Sequence, residues 1–407
     1  MTKPSYAWLL VAVLWFIWLL NYVDRQIIYS VFPLLRADLQ LSDFQLGLVS
    51  TSFLWVYALV SPAAGYLGDR FSRKAVIVAS LFVWSLVTFA TGMAKGFRGL
   101  ALALALLGVS EAAYLPAGLA LIADYHGERT RSRATGLHMS GAYIGMVLGG
   151  VVGGWLGQRY GWRLAFTVLG FVGMAYALLA AAVLRGRPAQ PAPGAERSET
   201  RKPPMGESLR AVWSLRAFPT LTFVFVVMSM ANWLMYTWMP VYLYERFHMS
   251  LLGAGFSATF YLQVGSLGGM LIGGTVADRW RARAQRGRLL TQAVSLAFAA
   301  PFLCFVGWTA SAGLMLAAMV IYGVGRGAYD CNIMPVLCEI APPEWRATGY
   351  GLFSCAGTVA GGVVAAVAGA LKSSVGLGGM MEATGLLLLV SVALLFRLEI
   401  PFATRRT

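Results

Sequence analysis

Charge is what this chain lacks. Of 407 residues only 12% are Asp, Glu, Lys or Arg, against 58% apolar, where a water-soluble chain carries about 25% charged residues. With a mean hydropathy of +0.68, that shortage excludes a soluble globular protein, because so few charges cannot clothe several hundred residues in water. Cysteine is scarce too. The four present, Cys304, Cys331, Cys338 and Cys355, fall in apolar stretches of the second half without metal-ligand spacing. This excludes a disulfide framework and leaves them as small packing residues. Also missing are the alternating polar pattern of a membrane barrel and any nucleophile-base pair, metal cluster or phosphate-cradling loop, so an enzyme is not expected.

What is present is length in apolar runs. A bilayer crossing takes about 20 residues, and twelve such runs occupy almost the whole chain. They lie at 6–28, 44–66, 75–94, 100–123, 134–157, 164–184, 217–242, 252–276, 289–308, 312–338, 347–371 and 377–396. Read as helices, they make an all-α membrane protein. The first run follows Lys3 but exceeds the roughly 7 to 15 residues usual in a signal peptide and has no small-residue cleavage site after it, so it reads as a permanent helix.

Lys and Arg outnumber Asp and Glu by 32 to 17, a net charge of +15, yet they form no patch of the kind nucleic acid requires. With the amino terminus inside, 23 fall in inner segments and seven in outer loops, and Arg25 and Arg326 lie within helices. This is the positive-inside asymmetry. It places both termini in the cytoplasm of a multi-pass protein, expected in a bacterial inner membrane, with the lipid bilayer and not nucleic acid as partner.

The longest hydrophilic stretch, Arg185 to Arg216, holds five prolines and reads as a flexible cytoplasmic linker. It separates a bundle at 1–184 from a second at 217–407, with six runs in each. Landmarks recur between the halves. Gly65-Tyr66-Leu67-Gly68-Asp69-Arg70 answers Gly274-Thr275-Val276-Ala277-Asp278-Arg279, Gly108-Val109-Ser110-Glu111 answers Gly323-Val324-Gly325-Arg326, and Arg133-Ala134-Thr135-Gly136 answers Arg346-Ala347-Thr348-Gly349. Repeats of this kind build transporters whose halves rock about a midplane site.

These residues resemble the major facilitator superfamily along essentially the full chain. Gly65 to Lys74 is similar to its signature loop between the second and third helices. The resemblance implies two pseudo-symmetric six-helix bundles that work as a monomer. Asp69, Arg70 and Arg73 of one half, with Asp278 and Arg279 of the other, are expected to form a cytoplasmic gate by pairing across the halves. Asn21-Tyr22-Val23-Asp24-Arg25, Glu111 in its Gly-Val-Ser-Glu-Ala setting and Ile122-Ala123-Asp124-Tyr125 narrow the resemblance to the anion:cation symporter branch, with its sugar-acid carriers and sialin-like proteins. Spinster-like lipid transporters show a similar pattern. Both branches imply proton coupling through Asp24 and Glu111, and anion binding or stabilisation by Arg25. One departure is Leu104, two turns before Glu111, where those branches often carry an arginine; Arg326 of the other half is the candidate replacement.

Five ionisable residues sit inside helices: Asp24, Arg25, Glu111, Arg326 and Asp330. Each costs about 2.5 to 3.5 kcal/mol at a bilayer centre, on the order of 15 kcal/mol together, unless paired, protonated or wet. Glu111 lies 13 residues from both Arg98 and Asp124, about 20 Å of helix from either, and so near the midplane. Arg326 holds its repeat position and is expected at similar depth on the opposite wall. Asp330 shares a helix face with Arg326, where it either neutralises the arginine or joins the proton coupling. Tyr57, Tyr114, His138, Tyr143, Asn232, Tyr236, Gln263, Tyr329 and Asn332 are candidates to line a substrate cavity with Arg25 and Arg326. His138 is expected in water near the inner end of the fifth helix, with His126 and His248 in loops.

With all five groups ionised their charges sum to minus one. Protonating Asp24 and Glu111 makes the sum plus one and frees guanidinium forks suited to a carboxylate. The expectation is a secondary transporter in which protons move with a small organic anion, a carboxylate or sugar acid, by alternating access. The alternative is proton-coupled export of an amphipathic lipid or drug, and a third reading is a sensor that keeps the carrier fold. No cofactor or metal is called for. Protons are the coupling ion, with sodium in their place left open.

Overall fold

The computed structural model describes residues 4–186, 205–342 and 345–398, without the side chains of 4–5, 62–70, 128–129, 132, 205–206, 208 and 347. The helices are α1 (Pro4–Ser30), α2 (Phe32–Leu39), α3 (Asp43–Arg70), α4 (Arg73–Thr91), α5 (Phe97–Ala112), α6 (Tyr114–Tyr125), α7 (Glu128–Tyr160), α8 (Trp162–Val183), α9 (Met205–Trp213), α10 (Phe218–Arg246), α11 (Leu251–Arg283), α12 (Gly287–Trp308), α13 (Ala312–Asp330), α14 (Ile333–Ile340), α15 (Arg346–Leu371) and α16 (Gly376–Arg397). Among the described residues twelve spans are long and apolar enough to cross a membrane, as the run lengths predict.

The fourth and tenth spans, expected as single helices, are interrupted at Ala113 and at Cys331-Asn332. Proline is the cause. Pro116 and Pro335 stand at the third position of α6 and α14, where each lacks an amide donor and its ring crowds the carbonyl four residues back, at Ala112 and Cys331. Pro33 does the same at the start of α2, just past the first span. A further difference is α9, which lies inside the stretch read as a flexible linker. It buries Val212 and leaves Leu209 and Trp213 exposed. The four cysteines are free, but Cys331 sits at the interruption and Cys355 is exposed, so neither is a plain packing residue.

The chain forms two compact units. The first comprises Met1–Glu196, Tyr236–Thr259 and Ala365–Ala370, and the second Arg197–Met235, Phe260–Val364 and Leu371–Thr407. Lipid gives helices no hydrophobic reason to associate, so close backbone contact has to supply the packing. In the first unit Gly141, Gly145, Gly149 and Gly153 of α7, one per turn, lie against α1, and Gly157 one turn on meets Val31, just before α2, and Leu34 of α2. Gly150 and Gly154, on the adjoining face, meet Gly255 and Leu251 of α11, and Gly47 of α3 meets Ala365 of α15. These contacts hold the ends of α11 and α15 in the first unit. They lie on its far side, opposite the linker side where α8 ends. In the second unit Gly265, Gly269 and Gly273 of α11 pack on Val320, Val324 and Ala328 of α13.

Candidate functional site

Asp24 and Arg25 are consecutive on α1 and therefore point about 100° apart. Arg25 turns toward α3 and α5, where its Nε donates to Glu111 Oε2 at 2.5 Å. The Glu111 side chain has no exposed surface, while that of Arg25 keeps 12%, so the arginine is the reachable member of the pair. Its guanidinium lies 4.8 Å from the ring centroids of both Phe53 and Tyr57 and 5.2 Å from that of Tyr22, an arrangement favoured by the negative faces of the rings. Phe53 and Tyr57 stack because they are four residues apart on α3. Gly108 brings α5 close enough for this: a Cβ there would meet the Phe53 carbonyl at 2.7 Å. Arg25 Nη2 and Glu111 Oε1 are buried without a hydrogen bond.

Asp24 turns the other way. It is buried beside Trp84 and Thr88 of α4, with Glu111 as its charged neighbour, and it has no cationic partner among the described residues. Tyr114, expected to face substrate, is fully buried. Its hydroxyl donates to the Leu14 carbonyl at 2.7 Å and its ring packs on Trp18 and Trp84, so it ties α6 to α1. The expectation of a solvated His138 is corrected likewise: it has no exposed surface and stacks on Trp18, because α7 packs on α1 along the glycine row. His126 does follow α6, but it is buried, with Nε2 beside the Ala7 carbonyl.

The second unit holds a similar pair. Arg326 Nε lies 3.3 Å from Asp330 Oδ2, and its Nη1 donates to Ser266 Oγ at 3.3 Å. Neutralisation of Arg326 by Asp330 is therefore the geometry found. Glu111 and Asp330 each stand five residues before the interrupting proline. Relative to the broken helices, Asp330 is thus the counterpart of Glu111. Tyr329 is buried, and Asn332 spans the interruption by donating to the Ala328 carbonyl at 2.9 Å. Asn232 is half-buried with its Oδ1 unpartnered, and Gln263 is buried. In the first unit Tyr143 and Tyr236 are half-buried, the latter neighbouring Tyr22.

Of the expected gate, Asp69 and Arg70 lie outside the described side chains. Arg73 of α4 pairs with Asp124 and donates to the Ala120 carbonyl, both on α6. Asp278 pairs with Arg288 at 3.1 Å, and Arg279 is exposed. Arg73 and Asp278 thus both find partners within their own units. Sequence reasoning missed Glu339, whose nearly buried carboxylate takes Arg281 Nε at 2.6 Å and Arg288 Nη1 at 3.3 Å. A signal was there, since Glu339 follows Asp124 by the same interval as Arg326 follows Glu111. Also missed was the far-side network, in which Arg36 pairs with Asp43 at 3.0 Å and with Glu245 of α10. Nearby, hydrogen bonds from Arg163 and Trp162 hold the Asp38 carboxyl below its ordinary range.

Comparison with known proteins places this geometry. Residues 14–366 match the family model described as Major Facilitator Superfamily. The chain is 28% identical over 398 residues to the Escherichia coli (strain K12) protein named probable galactarate/D-glucarate transporter GarP, covering 90% of this chain and 88% of that one. It is 30% identical over 399 residues to an MFS-type efflux pump of Mycolicibacterium smegmatis, covering 95% and 90%. The fold matches, with a TM-score of 0.85 at 22% identity over 97% of both chains, the crystal structure of a bacterial homolog to the human lysosomal transporter Spinster in an inward-facing, unoccupied conformation. By its matched model, its twelve apolar spans and its duplicated landmarks, the chain belongs to the major facilitator superfamily.

Proposed function

We propose that this protein is a secondary transporter that carries a small organic anion, a carboxylate or sugar acid, together with protons by alternating access. The observation that carries the reading is the Arg25–Glu111 pair, in which a fully buried acid neutralises a guanidinium whose other face is held by three rings. With Glu111 ionised, Arg25 is engaged. A proton on Glu111 removes the opposing charge, and the fork is then released to a substrate carboxylate while the rings keep it in place. Asp24 takes a proton without breaking an ion pair, because it has no cationic partner among the described residues. Arg326 and Asp330 repeat the arrangement in the second unit.

Similarity to a protein named for galactarate and D-glucarate supports the sugar-acid class. The distribution of basic residues supports an inner membrane protein with both termini in the cytoplasm. The test is uptake into proteoliposomes. Labelled D-glucarate should accumulate under an inward proton gradient and not without one, and failure across a panel of mono- and dicarboxylates would sink the reading. A second reading, export of an amphipathic compound, draws on the similarity to an efflux pump. It predicts thermal stabilisation by lysolipids or dyes and none by sugar acids.

A further inference from the structure

The helix pair α4 and α8 closes tightly toward the far side of the first unit. There Gly170 lies on the Phe89 backbone and Gly173 on the Ser85 side chain. Toward the linker side the same pair leaves a groove of about 450 Å³ lined by Ser72, Lys74, Ala79, Phe82, Ala177 and Leu178, among others. Its walls are apolar. Ala75 and Ala79 on α4 oppose Ala177 and Ala181 on α8, and no side chain of either helix fills the gap between them. The groove opens on a surface built for lipid, since α8 is the least buried of the twelve spans and Leu178 and Phe82 are exposed.

One end of the groove differs chemically from the rest. Lys74 is its one charged lining residue, at the first turn of α4, where the span leaves the apolar region. The neighbouring Arg73 is turned away and spent on Asp124. Among the described residues no carboxylate pairs with Lys74. A lysine in this position lays its methylene stem along the groove and carries its ammonium to the polar boundary, the depth at which phospholipid phosphates lie and basic side chains attract anionic headgroups.

We propose that this groove holds an acyl chain of a phospholipid from the leaflet on the linker side, with the anionic headgroup of that lipid held by Lys74. The occupant follows from the pairing of an apolar trough with one cation at its mouth that no carboxylate among the described residues pairs with. A zwitterionic lipid offers the same chain but carries its own cation, so it gains less from Lys74. The site stands apart from the Arg25–Glu111 pair and needs no transported substrate.

The test uses the full-length protein in detergent, titrated with phosphatidylglycerol or phosphatidylcholine of identical chains, with melting temperature and native mass spectrometry as readouts. For the wild type, phosphatidylglycerol should raise the melting temperature by several degrees more than phosphatidylcholine and leave one retained lipid. Ala177→Phe, which fills the trough, should abolish both effects, and Lys74→Glu should remove the preference for phosphatidylglycerol while chain-dependent binding persists. Leu386→Phe, on the exposed face of α16, should behave as wild type. Equal shifts by the two lipids, or a phosphatidylglycerol preference that survives Lys74→Glu, would overturn the proposal. Should Ala177→Phe not fold, the Lys74→Glu comparison decides alone.

Discussion

Arg25 and Glu111, 86 positions apart in sequence, meet at 2.5 Å in the first unit, and the acid is the more deeply buried of the two. Replacing Glu111 by Gln keeps the shape and a hydrogen-bonding oxygen while removing the charge that protonation would neutralise. Substrate exchange between equilibrated compartments should persist in Glu111→Gln, whereas uptake driven by a proton gradient should fall about tenfold or more, as for loss of a charge-assisted hydrogen bond. Gradient-driven uptake at the wild-type rate would remove Glu111 from the coupling.

Arg25→Lys separates charge from shape. The ammonium keeps the positive charge beside Glu111 but has neither the planar fork nor the flat face that lies on Phe53 and Tyr57. The substrate dissociation constant should rise by about 10- to 100-fold, equivalent to one or two strong hydrogen bonds. Calorimetry on the purified protein checks it, and unchanged affinity would mean that the guanidinium does not hold the anion.

Asp24→Asn should act differently, because no ion pair is broken. Exchange should again persist, but the pH dependence of uptake between about pH 5 and 8 should flatten, the mark of a lost proton-binding group. A pH profile superimposable on the wild type would show Asp24 to be a packing group between α1 and α4.

The spans and the duplication were legible in the sequence because each rests on a local quantity: a run of apolar residues, or a short motif at a fixed interval. The five intramembrane charges were legible for the same reason. The partner of each charge was legible only when it lay within one helix turn, as Asp330 does for Arg326. The pairing of Glu111 with Arg25 was not legible, since nothing in the spacing of α1 and α5 says which way Arg25 turns. Tyr114 and His138 were misplaced because an aromatic or histidine on a membrane helix has the same sequence pattern whether it faces a cavity or a neighbouring helix. The interruptions at Ala113 and Cys331 were readable in principle from Pro116 and Pro335.

The far-side ion pair of Asp38 with Arg163 supplies a pH prediction of known sign. Hydrogen bonds from Arg163 and Trp162 lower the Asp38 pKa in the folded protein. Its stabilising contribution is therefore present above the ordinary carboxyl value of about 3.9 and is lost as pH falls through the lowered one. Both side chains are nearly half exposed, and pairs of that kind contribute little. Asp38→Asn should lower the melting temperature by about one degree at pH 7, with the difference shrinking toward pH 3. A difference that grew on acidification would show the sign to be wrong.

Gly150 and Gly255 bring α7 and α11 into backbone contact on the far side, where Arg36 and Glu245 pair. A side chain at Gly150 has no room: the first carbon would already collide with the Gly255 carbonyl, so Gly150→Leu must part the two helices at a cost of about 1 to 3 kcal/mol. If this seal opens during transport, that cost should shift the population toward the open form by roughly 5- to 150-fold. Ser50, buried on α3 beside Tyr29, reports on it. With Cys304, Cys331, Cys338 and Cys355 replaced by serine, Ser50→Cys should resist a membrane-impermeant maleimide added from the far side, and Gly150→Leu should make it reactive. Gly136→Leu, also on α7 but facing open space, should leave labelling unchanged. Equal labelling in the Gly150→Leu and Gly136→Leu backgrounds would mean that the glycine contact fastens the unit permanently and that passage to the far side opens elsewhere.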